Sequence, residues 1–87
     1  MSETRETRLK RLRIRSWRRG TREMDLLLGG YADGALDALA ESDLAEFEAA
    51  LEAPDQDLYA WISGARPADP SHAPVVERIR AFHGIAV

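Results

Sequence analysis

The sequence predicts an all-α fold, a compact bundle of about five short helices. Three observations lead there. Large apolar residues recur at spacings of three and four almost throughout, and no segment alternates with a period of two over a useful length. The apolar stretches are helix-sized and separated by connections rich in glycine, proline or acidic residues. At 87 residues, the chain is long enough for one modest core, so it reads as a single helical domain over 1–87 with a basic N-terminal segment at 1–23.

Leu9 and Leu12, with Ile14 and Trp17 nearby, line the first expected helix. Met24, Leu27, Leu28 and Tyr31 mark one face of a second. Gly29, Gly30 and Gly34 weaken it, each by up to about 1 kcal/mol relative to alanine, and a kink or fraying is expected before Leu36 and Leu39. Ser42 is the expected N-cap of a third helix, with Asp43 in a first turn where the helix dipole favours a carboxylate. Leu44, Phe47 and Leu51 follow on one face, and the helix ends near Ala53 and Pro54. Asp55 or Asp57 caps a short fourth helix carrying Leu58, Trp61 and Ile62, and Gly64 suits its stop. The spacing of two between Tyr59 and Trp61 separates their faces, which places Trp61 in the core and leaves Tyr59 partly exposed. ARPADPSHAP is a proline-punctuated connection, and a fifth helix from about His72 carries Val75, Val76, Ile79 and Phe82 before Gly84.

Composition removes several chemistries. Without cysteine there is no disulfide framework, thiolate nucleophile or thiolate-bound metal. The two histidines, His72 in the proline-rich connection and His83 at the end of the last helix, fit no metal-ligand pattern. His83 suits the negative end of a helix dipole. The carboxylates of AESDLAEFEAALE alternate with alanine as on a solvated helix face, and no phosphate-binding glycine loop is present. A binding role is therefore expected over an autonomous active site, with no cofactor or metal of the chain's own. No apolar run approaches the roughly 18–20 residues that span a bilayer, and no signal-peptide core opens the chain; the Arg-rich start resembles a mitochondrial transit peptide but is interrupted by Glu3 and Glu6, so a bacterial cytoplasmic protein is expected over one of the mitochondrial matrix.

Charge is distributed unevenly. Residues 1–23 carry nine basic groups against three acids, a net of +6, while residues 24–87 carry three against twelve, a net of −9. The basic head can steer a partner or contact phosphates, and nucleic-acid binding stands as the alternative function. Against it, Trp17 is the only aromatic residue near the run, no recognition module is evident, and the acidic remainder repels a polyanion.

The sharpest motif lies where the basic run gives way to the acidic chain, in RRGTREMD, Arg18 to Asp25. Read for structure, Gly20 caps the second helix and Glu23 at its third position reaches back to the Gly20 amide. Read for function, a glycine lets a partner's backbone approach, flanking arginines grip carboxylates, and Glu23 accepts a hydrogen bond or pairs with a cation.

With Arg19, Gly20 and Glu23 as RGxxE, and with ALEAPDQDLYAWISGARPAD downstream, the chain resembles the succinate dehydrogenase flavinylation factors, the SdhE family, also called succinate dehydrogenase assembly factor 2. The likeness spans roughly residues 8–83. It implies a small five-helix assembly factor, not an enzyme, that binds the flavoprotein subunit of succinate dehydrogenase, or in some bacteria fumarate reductase, and promotes covalent attachment of FAD to a histidine of that subunit. It also implies that Arg19, Gly20 and Glu23 form the partner-binding surface, with Arg22 and Asp25 adjacent.

Overall fold

The computed structural model describes residues 3–85. Among them are five α-helices, one 3₁₀ turn and no strand, so the all-α expectation holds. The helices fall into two compact units, one ending at Leu39 and the other beginning at Ala40.

In the first unit, α1 (Arg5–Trp17) packs against α2 (Arg22–Ala35), and the 3₁₀ turn Leu36–Ala38 follows α2 directly. Thr4 caps α1, its hydroxyl oxygen accepting from the Thr7 amide at 3.1 Å. Arg11 grips Glu3 through two parallel hydrogen bonds of 2.9 Å, and this bond holds the Glu3 carboxyl below its ordinary pKa. Leu9, Leu12, Met24, Leu28 and Tyr31 are buried as their spacing requires, and Leu36 with them. Ile14 and Trp17 are not: each stays more than a third exposed. The buried position near the end of α1 is Ser16, whose hydroxyl donates to the Leu12 carbonyl one turn back at 2.7 Å and so needs no other partner.

α2 stays helical through Gly29, Gly30 and Gly34 to Ala35, so the irregularity expected before Leu36 is confined to its end. Intrinsic propensity is outweighed by packing, because the Trp17 ring occupies the place a side chain at Gly29 would need. Irregularity comes after the glycines, where the Leu36 amide still reaches the Ala32 carbonyl and the chain tightens into the 3₁₀ turn.

In the second unit, α5 (Ala73–Phe82) packs against both α3 (Glu41–Ala50) and α4 (Asp55–Ser63). Leu44, Phe47, Leu51, Leu58, Ile62, Val75, Val76 and Ile79 are buried. Two capping expectations need correction. Ala40, not Ser42, is the N-cap of α3, and Pro54, neither Asp55 nor Asp57, is the N-cap of α4; neither cap makes a side-chain hydrogen bond. Both helices instead carry carboxylates in their first turns, Glu41 and Asp43 in α3 and Asp55 and Asp57 in α4, where the dipole favours them. Asp57 also binds Arg66 at 2.5 Å. Gly64 ends α4 with φ 88°, and the Arg66 amide returns to the Ala60 carbonyl at 3.2 Å.

Trp61 is half-buried, not a full core residue, and lies against the imidazole of His72, which is the N-cap of α5. Tyr59 is exposed as expected, and Phe82 is exposed too, edge-on to His83. The connection before α5 is ordered by Asp69, whose carboxylate accepts from the Ser71 hydroxyl at 2.7 Å and the Ser71 amide at 2.9 Å. These bonds, the hydroxyl's foremost, hold its pKa below the ordinary aspartate value. Arg78 of α5 spans Asp43 and Glu46 of α3 at 3.1 and 3.3 Å.

Candidate functional site

The motif RRGTRE occupies the turn between α1 and α2. α1 ends at Trp17, and Arg18 leaves helical geometry with φ −123° and ψ 54°. Gly20 then takes φ 107°, in the region that favours glycine, so its presence is set by the backbone. Beyond its chain neighbours, no heavy atom lies within 4 Å of where a β-carbon on Gly20 would sit, so the turn is unobstructed there.

The N-cap of α2 is Thr21, not Gly20. Its side-chain oxygen accepts from the Met24 amide at 3.3 Å, and its carbonyl accepts from the Asp25 amide at 3.0 Å. Glu23 is therefore the second helical residue, one position short of where a capping box needs it, and Met24 stands third and is buried. The signal for Thr21 was in the sequence, a hydroxyl residue just before the first periodic apolar position.

Asp25 has an unanticipated function within the turn. Its Oδ1 accepts the Arg19 backbone N–H at 2.7 Å, which ties the middle of the turn to the first turn of α2. An Arg19 amide that would otherwise lie outside any helix ladder is thereby satisfied.

Around this turn lies an open cleft of about 610 Å³ lined by Trp17, Arg18, Gly20, Thr21, Arg22, Asp25 and Leu26. Three of the five sequence-predicted residues, Gly20, Arg22 and Asp25, meet there. Arg19 and Glu23 do not line it; Arg19 is half-buried and Glu23 is exposed. The cleft adds Trp17, 37% exposed, and Leu26, 49% exposed. Leu26 was missed because it falls between the apolar positions of the buried face. Arg18 and Arg22 are exposed and take part in no ion pair among the described residues. A cleft with two such guanidinium groups beside an aromatic and an aliphatic side chain suits a protein segment carrying a carboxylate and an apolar residue.

Much of the remaining basic run is engaged within the first unit. Arg5 donates to the Leu39 carbonyl at 2.6 Å, Arg11 holds Glu3, and Arg13 pairs with Asp37 at 2.6 Å. Among the described residues, no group of three or more His, Asp or Glu side chains is arranged to hold a metal ion. No helix among them is long and apolar enough to cross a membrane.

Comparison with known proteins agrees with the family resemblance. Succinate dehydrogenase assembly factor 2, mitochondrial, of Meyerozyma guilliermondii is 48% identical over 59 residues, which are 68% of this chain and 44% of that protein. FAD assembly factor SdhE of Acetobacter pasteurianus is 38% identical over 60 residues, 69% of this chain and 55% of that protein. The factor of the same name from Methylococcus capsulatus is 39% identical over 72 residues, 82% of this chain and 87% of that protein. The chain thus spans about half the length of the first two. No solved structure matches it significantly. Residues 10–83 match the model of the Sdh5 family, described as the flavinator of succinate dehydrogenase, and the chain belongs to that family.

Proposed function

We propose that this protein is an assembly factor that binds the flavoprotein subunit of succinate dehydrogenase and promotes covalent attachment of FAD to it, docking through the turn and cleft at residues 17–26. The observation that carries the docking assignment is the cleft itself, in which two arginines with no ion-pair partner among the described residues flank the glycine turn beside exposed Trp17 and Leu26. Aromatic and arginine side chains dominate binding energy at protein interfaces. The partner segment is one with a carboxylate for Arg18 and Arg22 and an apolar side chain for the cleft wall.

Arg19, Gly20, Arg22, Glu23 and Asp25 act in different ways on this surface. Gly20 permits close backbone approach, and Arg22 contacts the partner from the cleft. Asp25 holds the Arg19 amide, so its contribution is to shape the turn. Exposed Glu23 is available to a partner's cation or amide beside the cleft. The flavin supplies the attachment chemistry in its own host protein. This chain contributes by holding the host's domains so that the acceptor histidine stays aligned with the flavin, which lowers a barrier without donating a catalytic group. The factor is not itself an enzyme, carries no cofactor or metal of its own and acts in the cytoplasm. Fumarate reductase flavoproteins enter only through the family resemblance.

The ion pairs of Arg11 with Glu3 and Arg13 with Asp37, and the bond of Arg5 to the Leu39 carbonyl, weigh against nucleic acid as the partner, because two of these charges are matched and the third guanidinium is held by the backbone. The test is covalent flavin fluorescence on the denatured succinate dehydrogenase flavoprotein, from cells lacking the gene and complemented with wild type, Glu23→Ala or the double variant Arg18→Ala/Arg22→Ala. Flavin lost on deletion, restored by wild type and not by the double variant, is the expected result. Undiminished flavin in the deletion strain refutes the reading and makes oligonucleotide binding the next assay.

A further inference from the structure

We propose that Trp17 is the positioning residue of the docking turn, seated in a slot that Gly29 leaves in α2; the proposal rests on the docking role assigned to that turn above. A β-carbon on Gly29 would lie 2.2 Å from Cδ2, 2.4 Å from Cε2 and 2.7 Å from Cε3 of the Trp17 ring. These are inside any normal carbon–carbon contact, so only glycine admits the indole at this depth. The indole N–H donates to Asp33 Oδ2 at 3.1 Å, one helical turn further along α2.

The last residue of α1 is thus tied to the middle of α2 by a ring contact and a hydrogen bond. Two residues later, the Arg19 N–H is tied to Asp25 at 2.7 Å. The turn that carries Arg18 and Gly20 is held between these two ties, and Trp17 itself lines the cleft. Placement on the surface distinguishes this ring from a core residue. It remains 37% exposed, and its polar partner Asp33 is exposed as well. A mid-helix glycine costs about 1 kcal/mol relative to alanine, and here it admits a ring that is only partly withdrawn from water. The arrangement serves the geometry of the turn more than burial. A turn already held in its bound conformation loses less entropy on docking.

The experiment compares wild type, Gly29→Ala, Trp17→Phe and the double variant Gly29→Ala/Trp17→Leu. Its readouts are affinity for the apo-flavoprotein, thermal melting, indole emission, and amide exchange of Arg19 in the free protein. Gly29→Ala should displace the ring, shift indole emission to the red and speed Arg19 exchange. Its affinity should fall about tenfold, equivalent to about 1.4 kcal/mol, at a temperature where the variant is still folded. The double variant removes the overlap and should regain melting temperature without regaining affinity, whereas Trp17→Phe keeps a ring in the slot and should retain most of the binding. The positioning role is overturned if affinity returns with stability in the double variant, or if Gly29→Ala leaves Arg19 exchange unchanged. Wild-type protein that fails to bind any flavoprotein refutes the docking reading, and Trp17's role in docking falls with it; accelerated Arg19 exchange in Gly29→Ala would still support the geometric tie on its own.

Discussion

Replacing Gly20 by alanine separates the backbone's part in the proposed docking turn from the side chains'. Gly20 has φ 107°, and a β-carbon there meets nothing within 4 Å, so the substitution creates no clash with a neighbour and acts through the main chain alone. An L-residue held at such a φ costs about 1–2 kcal/mol. For a chain of this size about 1 kcal/mol shifts the melting temperature by roughly 4–8 °C, so retention of the native turn predicts a fall of about 5–15 °C. Alternatively the turn swings to negative φ and relieves the strain. The 2.7 Å bond from the Arg19 amide to Asp25 is then lost and stability changes little, but the cleft loses its shape. Thermal unfolding with amide exchange at Arg19 distinguishes the two: a lower melt with a protected amide, or a near-native melt with a fast one. Flavoprotein affinity falls in both, and α2 stays helical because Thr21 caps it. A variant that melts and binds as wild type, with Arg19 still protected, refutes the assignment of Gly20 to the turn's geometry.

Three further outcomes follow from the described contacts. Thr21→Ala removes the α2 cap and should destabilise the fold by about 1 kcal/mol, read by urea unfolding, and Thr21→Ser should recover most of it. Because the Asp69 carboxyl is held below its ordinary pKa, chiefly by the Ser71 hydroxyl, its stabilising effect is present above the unfolded aspartate value of about 4 and is lost as pH falls through the lower folded value. Ser71→Ala should raise the Asp69 midpoint in a carboxyl-carbon NMR titration, and an unchanged midpoint would contradict the hydroxyl's leading part. Arg78→Ala breaks the pairs with Asp43 and Glu46, yet these side chains are about a third or more exposed, so the loss should be no more than about 1 kcal/mol and smaller still in high salt.

Helical periodicity was legible because burial of one helix face imposes spacings of three and four on the sequence. The identities of Leu12, Leu28, Leu44, Leu58 and Ile79 as core residues follow from it. Caps were less legible. Ser42, Asp55 and Gly20 are all residues that favour caps, and in each case the helix begins elsewhere, at a boundary set by where the chain must turn. A capping preference ranks residue types at a given boundary and does not select the boundary. Of the candidate site, Gly20, Arg22 and Asp25 were legible as a contiguous motif. The contributions of Leu26 and Arg18 to the cleft and the Asp25 tie were not, since they depend on which residues the turn brings together.

By itself the sequence determined the helical class, the absence of cysteine, the opposed charges of its basic head and acidic remainder and, through a resemblance spanning roughly residues 8–83, the family. Each of these resides in composition, periodicity or a contiguous motif, which a linear chain carries without folding. Tertiary structure alone decided that α2 continues through Gly29, that Trp17 lies in the slot this glycine leaves, and that Arg18, Arg22 and Leu26 share one cleft. Those are facts about side chains that meet only after the chain reverses at Gly20. A glycine read in sequence signals a weak helix, and only its spatial neighbour shows whether the missing side chain is a defect or the place where another residue packs.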